Sequence, residues 1–169
     1  MNFLKIALVL LLGTVGVAQS PKPAVVSAGI LSVADTQRLM PPSVFFQGQL
    51  ATVQMRNSFG VRFKGGGLVL AGVVDTGGYS SAVQQKYQFY LLSDTAFDLN
   101  GKRFAPGAYG CGFWDKNVLV MDLGGNELYR SPVSRDDAMT RPRPLQIVAG
   151  KAADEYRLYL GRDFVTLRP

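Results

Sequence analysis

The stretch Phe97-Asp98-Leu99-Asn100-Gly101-Lys102-Arg103-Phe104 decides the fold class. Asn-Gly between two short apolar-polar alternations is a strong signal for a two-residue type I′ hairpin, because both central residues tolerate positive φ. Moving outward, Pro106-Gly107 suits the centre of a type II turn. Strands are then expected at Ala108–Trp114, Val118–Asp122, Glu127–Ser131, Leu145–Val148 and Tyr156–Leu160, split by Asp115-Lys116-Asn117, Gly124-Gly125-Asn126 and Lys151–Asp154. Upstream, Gly60–Phe63 and Leu68–Val74 flank Lys64-Gly65-Gly66-Gly67 as a hairpin-like pair. Val83, Gln85, Tyr87, Phe89 and Leu91 share one face of a predicted strand, with a helix over Ser80–Tyr87 as the alternative. The sum is an all-β domain of about nine or ten short strands, an antiparallel meander sandwich or small barrel.

Toward the N-terminus the pattern changes. A single positive charge at Lys5 precedes an apolar run, Ile6–Val17, ended by Gln19, Ser20, Pro21 and Lys22. A spanning helix needs ~20 apolar residues, so residues 1–18 are expected to be a cleavable signal peptide with Gln19 as the mature start. No cysteine lies there to carry a lipid, so no stable membrane anchor is expected, and the protein should be exported, to the periplasm or outside the cell. Residues 19–43 are expected to form an N-terminal tether and first strand (Ala24–Val33), with one helical turn at Asp35–Met40 stopped by Pro41-Pro42. The β-domain then occupies residues 44–169. The segment Arg135–Pro144 is its longest loop.

Loss of Lys5 leaves 17 basic residues against 12 acidic ones, scattered in ones and twos. With no basic stripe and no recognition helix, nucleic acid is not the expected partner. An anionic envelope polymer or lipid surface fits better. The chain contains no histidine, which excludes Ser-His and Cys-His nucleophile pairs and imidazole zinc sites. Cys111, the single cysteine, sits between Gly110 and Gly112 and reads as a buried small apolar residue. Gly78-Tyr79-Ser80-Ser81-Ala82 lacks the closing glycine of a nucleophile elbow. Lys64–Gly67 lacks the ending of a phosphate-binding loop, and Asp136-Asp137 reads as solvated loop rather than a metal site. Nothing in the sequence asks for a cofactor.

One motif carries possible chemistry. Leu68–Val74 delivers into Asp75-Thr76-Gly77, and Tyr159-Leu160-Gly161-Arg162-Asp163 follows near the end. Together with a glycine-bearing hairpin before the motif and another after it (Gly107, Gly110, Gly112, Phe113), these segments resemble retropepsin-like aspartic peptidases over roughly residues 61–165. The resemblance implies a homodimer in which Asp75 shares a proton with its symmetry mate, Thr76 braces the loop and Gly77 allows close backbone approach. Two departures mark it: Gly78 stands where that family has Ala or Ser, and Phe164-Val165-Thr166 is β-prone where a helix is expected. Asp-x-Gly at a strand end is also what an ordinary turn looks like. A looser resemblance, through Pro106–Gly110, Arg141–Leu145 and Tyr156–Tyr159, is to uncharacterised exported proteins of acidobacterial type, and it implies no activity.

The leading expectation is a non-enzymatic exported β-domain that binds an envelope component, another protein or a small ligand. Tyr79, Tyr87, Tyr90, Tyr109, Phe113, Trp114 and Tyr129 are its aromatic candidates, Tyr109 and Trp114 foremost, with core packing as the alternative role. Arg141 and Arg143, two apart in the long loop, are the candidate contacts for anionic material.

Overall fold

A computed structural model describes residues 27–169. The expected signal peptide at residues 1–18, the start of the expected tether and Ala24–Val26 of the expected first strand lie outside the described residues. Fourteen strands and two helices follow in chain order: β1 (Gly29–Ile30), α1 (Val33–Leu39), β2 (Ser43–Phe46), β3 (Gln49–Arg62), β4 (Leu68–Val74), α2 (Ser81–Lys86), β5 (Phe89–Ser93), β6 (Phe97–Leu99), β7 (Lys102–Phe104), β8 (Gly107–Trp114), β9 (Asn117–Met121), β10 (Glu127–Pro132), β11 (Ser134–Arg135), β12 (Arg143–Ala149), β13 (Tyr156–Gly161) and β14 (Asp163–Arg168). They form two antiparallel sheets. The first has the order β1-β3-β4-β5-β8-β9-β10, with β2 paired to β3; the second has the order β12-β13-β14-β6-β7, with β11 paired to β14. The all-β expectation holds, as a two-sheet sandwich, and the strand count of fourteen exceeds the nine or ten expected, two of the strands being pieces of only two residues.

Between the sheets lies the main core. Val61, Val69, Ala71, Phe89, Leu91, Cys111, Val118 and Val120 of the first sheet meet Phe97, Leu99, Leu145, Leu158, Val165 and Leu167 of the second. A second core lies on the other face of the first sheet, where Leu70, Val74, Tyr90 and Met121 are covered by Leu31, Met40, Val44, Phe46, Ala51, Tyr79 and Tyr87. The first sheet is therefore buried on both faces, and that is why Leu68–Val74 is apolar without alternation. The β2–β3 hairpin reaches the outer face because β3 bends at a register shift between Val53 and Ser58.

Glycines seat this cover. Ser58, Gly72, Tyr90, Gly110 and Met121 form one cross-strand row. A Cβ at Gly72 would stand 2.7 Å from Met40 Cε, one at Gly110 would collide with the Phe46 ring, and one at Gly112 with the Lys86 carbonyl oxygen. Backbone and ring approach the sheet where no side chain intervenes.

The Asn100-Gly101 hairpin is as expected, with φ of +52° and +87° and Leu99 paired to Lys102. Asp115-Lys116 makes a two-residue turn of the same hand with φ of +49° and +59°, between Trp114 and Asn117. Three expectations need correction. Gly107 has no positive φ and opens β8, so Pro106-Gly107 is a bend between the sheets rather than a type II turn. Among the described residues the first strand covers Gly29–Ile30, and it stops short of Val33 because the Ser32 hydroxyl accepts the Asp35 N–H (3.1 Å) and starts α1 at Val33. The helical turn at Asp35–Met40 is thus present, as a seven-residue helix that begins two residues earlier and ends at Leu39. Finally, the predicted strand over Val83–Leu91 is a strand only from Phe89; Ser81–Lys86 is helical. In this segment Val83 and Tyr87, one turn apart, both pack into the second core. With β5 already paired to β4 and β8, an extended segment lying on the sheet's face would have no ladder partner, whereas a helix satisfies its own backbone.

Candidate functional site

Asp75 follows β4 directly. Its N–H donates to the Thr52 carbonyl (2.8 Å), and its exposed carboxylate accepts the Gly77 N–H at 3.0 Å, an Asx turn. The Thr76 carbonyl accepts the Tyr79 N–H (2.9 Å). The segment Leu160–Asp163 is a two-residue hairpin turn in the second sheet, with Leu160 paired to Asp163 and Gly161 at φ +65°. Strand β13 pairs only with β12 and β14, while β4 pairs with β3 and β5. Tyr159-Leu160-Gly161 therefore does not run beside Val73-Val74-Asp75.

The aromatic candidates divide between the cores rather than gathering in one place. Tyr79, Tyr87 and Tyr90 belong to the second core. Tyr87 is fully buried and stacked on Phe46 (centroids 3.9 Å apart), and its hydroxyl has no hydrogen-bond partner among the described residues. Burial drives its pKa far upward, and drives up that of the Cys111 thiol as well. Tyr109, Phe113 and Tyr129 pack against the main core. The Tyr109 hydroxyl donates to the Ala105 carbonyl (2.9 Å) and that of Tyr129 to the Asn100 carbonyl (3.0 Å). Trp114 is half-buried, with Lys86 Nζ 5.2 Å and Arg130 Cζ 5.5 Å from its ring centroid. Arg130 is in turn held by Glu127 through bonds of 2.8 and 2.7 Å, which keep the Glu127 carboxyl below its ordinary range.

A different constellation forms where the loop 136–142 folds over the outer face of the second sheet. Its N-terminal end is fixed by the Asp136 N–H, which donates to the Arg162 carbonyl (3.0 Å), and by the Tyr159 hydroxyl, which donates to Asp136 Oδ2 (2.9 Å). Arg135 donates to Asp137 (2.9 Å) and to Asp163 (3.0 Å). Under the loop, Arg157 lies 4.6 Å from the Phe164 ring centroid and donates to the Tyr159 hydroxyl (3.4 Å). Each nearby acid is thus engaged, Asp136 by Tyr159 and Asp137 and Asp163 by Arg135.

Of the five exposed arginines without an ion pair among the described residues, Arg56 and Arg103 lie on β3 and β7, and three lie on or beside this loop. Among the described residues Arg141, Arg143 and Arg162 are exposed and have no carboxylate within 4.0 Å, the reach of the ion pairs found elsewhere. The backbone brings Arg143 and Arg162 to the same corner of the second sheet, with Arg141 two residues before Arg143. A register shift in β12 between Arg143 and Gln146 sets Arg143 opposite Gly161, in line with Tyr159 on the outer face, and Arg162 follows Gly161 in the turn. Arg162 Nε donates to the Met139 carbonyl (3.2 Å), so the loop itself orients this guanidinium and leaves its outer nitrogens free. Arg141 and Arg143 each precede a proline. Proline fixes its own φ and biases the residue before it toward extended backbone, so Arg-Pro-Arg-Pro is a stiff carrier for two cations.

The sequence pointed to Arg141 and Arg143 but gave Arg162 to the peptidase-like segment. The signal that could have found it is local: in a two-residue hairpin with glycine first, the second residue is at the exposed tip. No family model, curated protein or solved structure matches this chain.

Proposed function

We propose that this chain is an exported, non-enzymatic β-domain that binds a component of the cell envelope, gripping its anionic groups with Arg141, Arg143 and Arg162. The observation that carries the reading is three exposed guanidinium groups without carboxylate partners among the described residues, two on a segment stiffened by two prolines and the third on the neighbouring hairpin turn. Arginine presents a planar fork matched to phosphate and carboxylate, and preorganised cations lose less entropy on binding. Export rests on the apolar run Ile6–Val17 behind Lys5. Among the described residues no helix is long and apolar enough to cross a membrane. Asp75 Oδ1 accepts the Gly77 N–H within its own turn, which supports the ordinary-turn reading of this motif over the aspartic-peptidase alternative.

The test is retention of the mature chain, starting at Gln19, on envelope fractions of an exporting host. Replacing Arg141, Arg143 and Arg162 together by alanine should reduce the retained fraction several-fold, and added salt should do the same to the parent chain. Retention that ignores all three arginines would retire the proposal.

A further inference from the structure

Resting on that reading, we infer that the ligand of the arginine surface is a linear polyanion with an oxyanion on each repeat, laid along residues 141–144 and across Arg162. A stiff cation carrier that leads from a bend at Arg141 into strand β12 at Arg143 complements a chain of charges better than a compact ion. Two residues of chain allow the Cα atoms of Arg141 and Arg143 to stand at most roughly 7 Å apart, a separation that one small anion spans poorly and successive charged repeats span well. Arg162 adds a third guanidinium from the neighbouring hairpin, held in place by the Met139 carbonyl (3.2 Å). Binding there breaks no ion pair, since Arg135 already satisfies Asp137 and Asp163.

A membrane surface is the competing source of dense anionic charge. Interfacial binding draws strength from buried apolar area as well as from charge. The large exposed apolar side chains, Ile30, Val33, Leu39, Phe45, Leu50, Leu123 and Leu128, all lie on the first sheet, its cover or its connecting loops. The arginine surface has none of them, which favours a soluble polymer over a bilayer.

The experiment titrates the mature chain with inorganic polyphosphate and with polygalacturonate, which separate phosphate from carboxylate as the recognised group. Orthophosphate and galacturonate serve as single-charge controls, and phosphatidylglycerol vesicles as the membrane arm. At least one polymer should bind at least a hundredfold more tightly per charge than its monomer, with affinity falling steeply as salt rises. The alanine variant of all three arginines should bind that polymer at least tenfold more weakly. Its slope of log affinity against log salt should be shallower by about two, at ~0.7 per lost contact. A variant with Lys86→Ala and Lys116→Ala, removing two cations elsewhere, should change affinity by less than threefold. Polymers that bind no better than monomers, equal loss in the lysine variant, or vesicles preferred over both polymers would each overturn the inference. If envelope retention still needs the three arginines while neither polymer binds, the polyanion inference fails alone; if retention does not need them, the proposed function fails with it.

Discussion

Over the outer face of the first sheet lies an apolar cover of α1, the β2–β3 hairpin and α2, with Phe46 and Tyr87 fully buried beneath it. Over the outer face of the second sheet, among the described residues, lies the loop 136–142, held by Tyr159, Arg135 and backbone bonds. The first cover excludes water and is in effect more core. The second uses up its acids internally and leaves three arginines outside. A cover made of apolar contact stabilises the fold and offers nothing to a ligand, whereas one made of ion pairs stabilises little but can present charge in a fixed arrangement.

The largest expected effect breaks the first cover. Phe46 has no exposed surface, stacks on Tyr87 and lies against Gly110. Phe46→Ala should cost ~3–5 kcal/mol in urea unfolding, for lost transfer energy plus the cavity left behind. A loss below ~1 kcal/mol would mean that the hairpin is not part of the core. Next comes Gly112→Ala, at roughly 1–3 kcal/mol of overpacking, because the new methyl meets the backbone carbonyl of Lys86 rather than a flexible side chain. Gly65→Ala, into open space, is the matched control and should be far milder.

Third, and of opposite sign, Tyr87→Phe should raise stability by about 1 kcal/mol, since it removes a buried hydroxyl that has no partner while keeping the ring. Destabilisation by that amount would show that the hydroxyl is satisfied after all. On the second sheet the comparable group is Glu155. Its carboxylate receives Arg168 Nη2 (2.5 Å) and the Lys151 N–H (3.2 Å), and the Arg168 bond above all holds its pKa below the ordinary 4.5. A depressed folded-state pKa gives stability that is present above the unfolded value and lost as pH falls through the folded one. Unfolding curves should therefore weaken below pH 4.5, and Glu155→Gln should flatten that acid limb. An unchanged acid limb in the variant would assign the loss to other carboxylates.

How much of this was legible follows from which residues act locally. Asn100-Gly101 announced its hairpin because turn chemistry needs no partner, and Asp35–Met40 announced a helical turn for the same reason. Val83–Leu91 did not, since Val83 and Tyr87 fit both a strand face and a helix face, and only the occupied ladders of β5 decide between them. The apolar run Leu68–Val74 did carry news of a sheet buried on both faces, yet the cover that buries it comes from residues 31–53 and 79–87, far along the chain. For the candidate surface, Arg141 and Arg143 stood out by spacing. Arg162 joins them only through the β12–β13 register, which a one-residue shift sets.

The smallest expected effect on stability belongs to the arginines themselves, and it sharpens the comparison most. Arg141 and Arg143 are exposed and make no ion pair or side-chain hydrogen bond among the described residues. Surface changes of that kind fall within ~0.5 kcal/mol each. Removing two positive charges from a net-positive chain also relieves some like-charge repulsion, so the net change in Arg141→Ala with Arg143→Ala should be near zero or slightly stabilising, while Pro142 and Pro144 keep the segment stiff. Thermal unfolding of this double variant beside the parent chain measures it directly. A loss well beyond ~1 kcal/mol would mean that these side chains help to hold the loop down, making the second cover structural like the first and leaving no free cations to bind anything. A silent result combined with lost envelope retention would separate binding from folding at the same two residues, a separation that Phe46 and Gly112 cannot show.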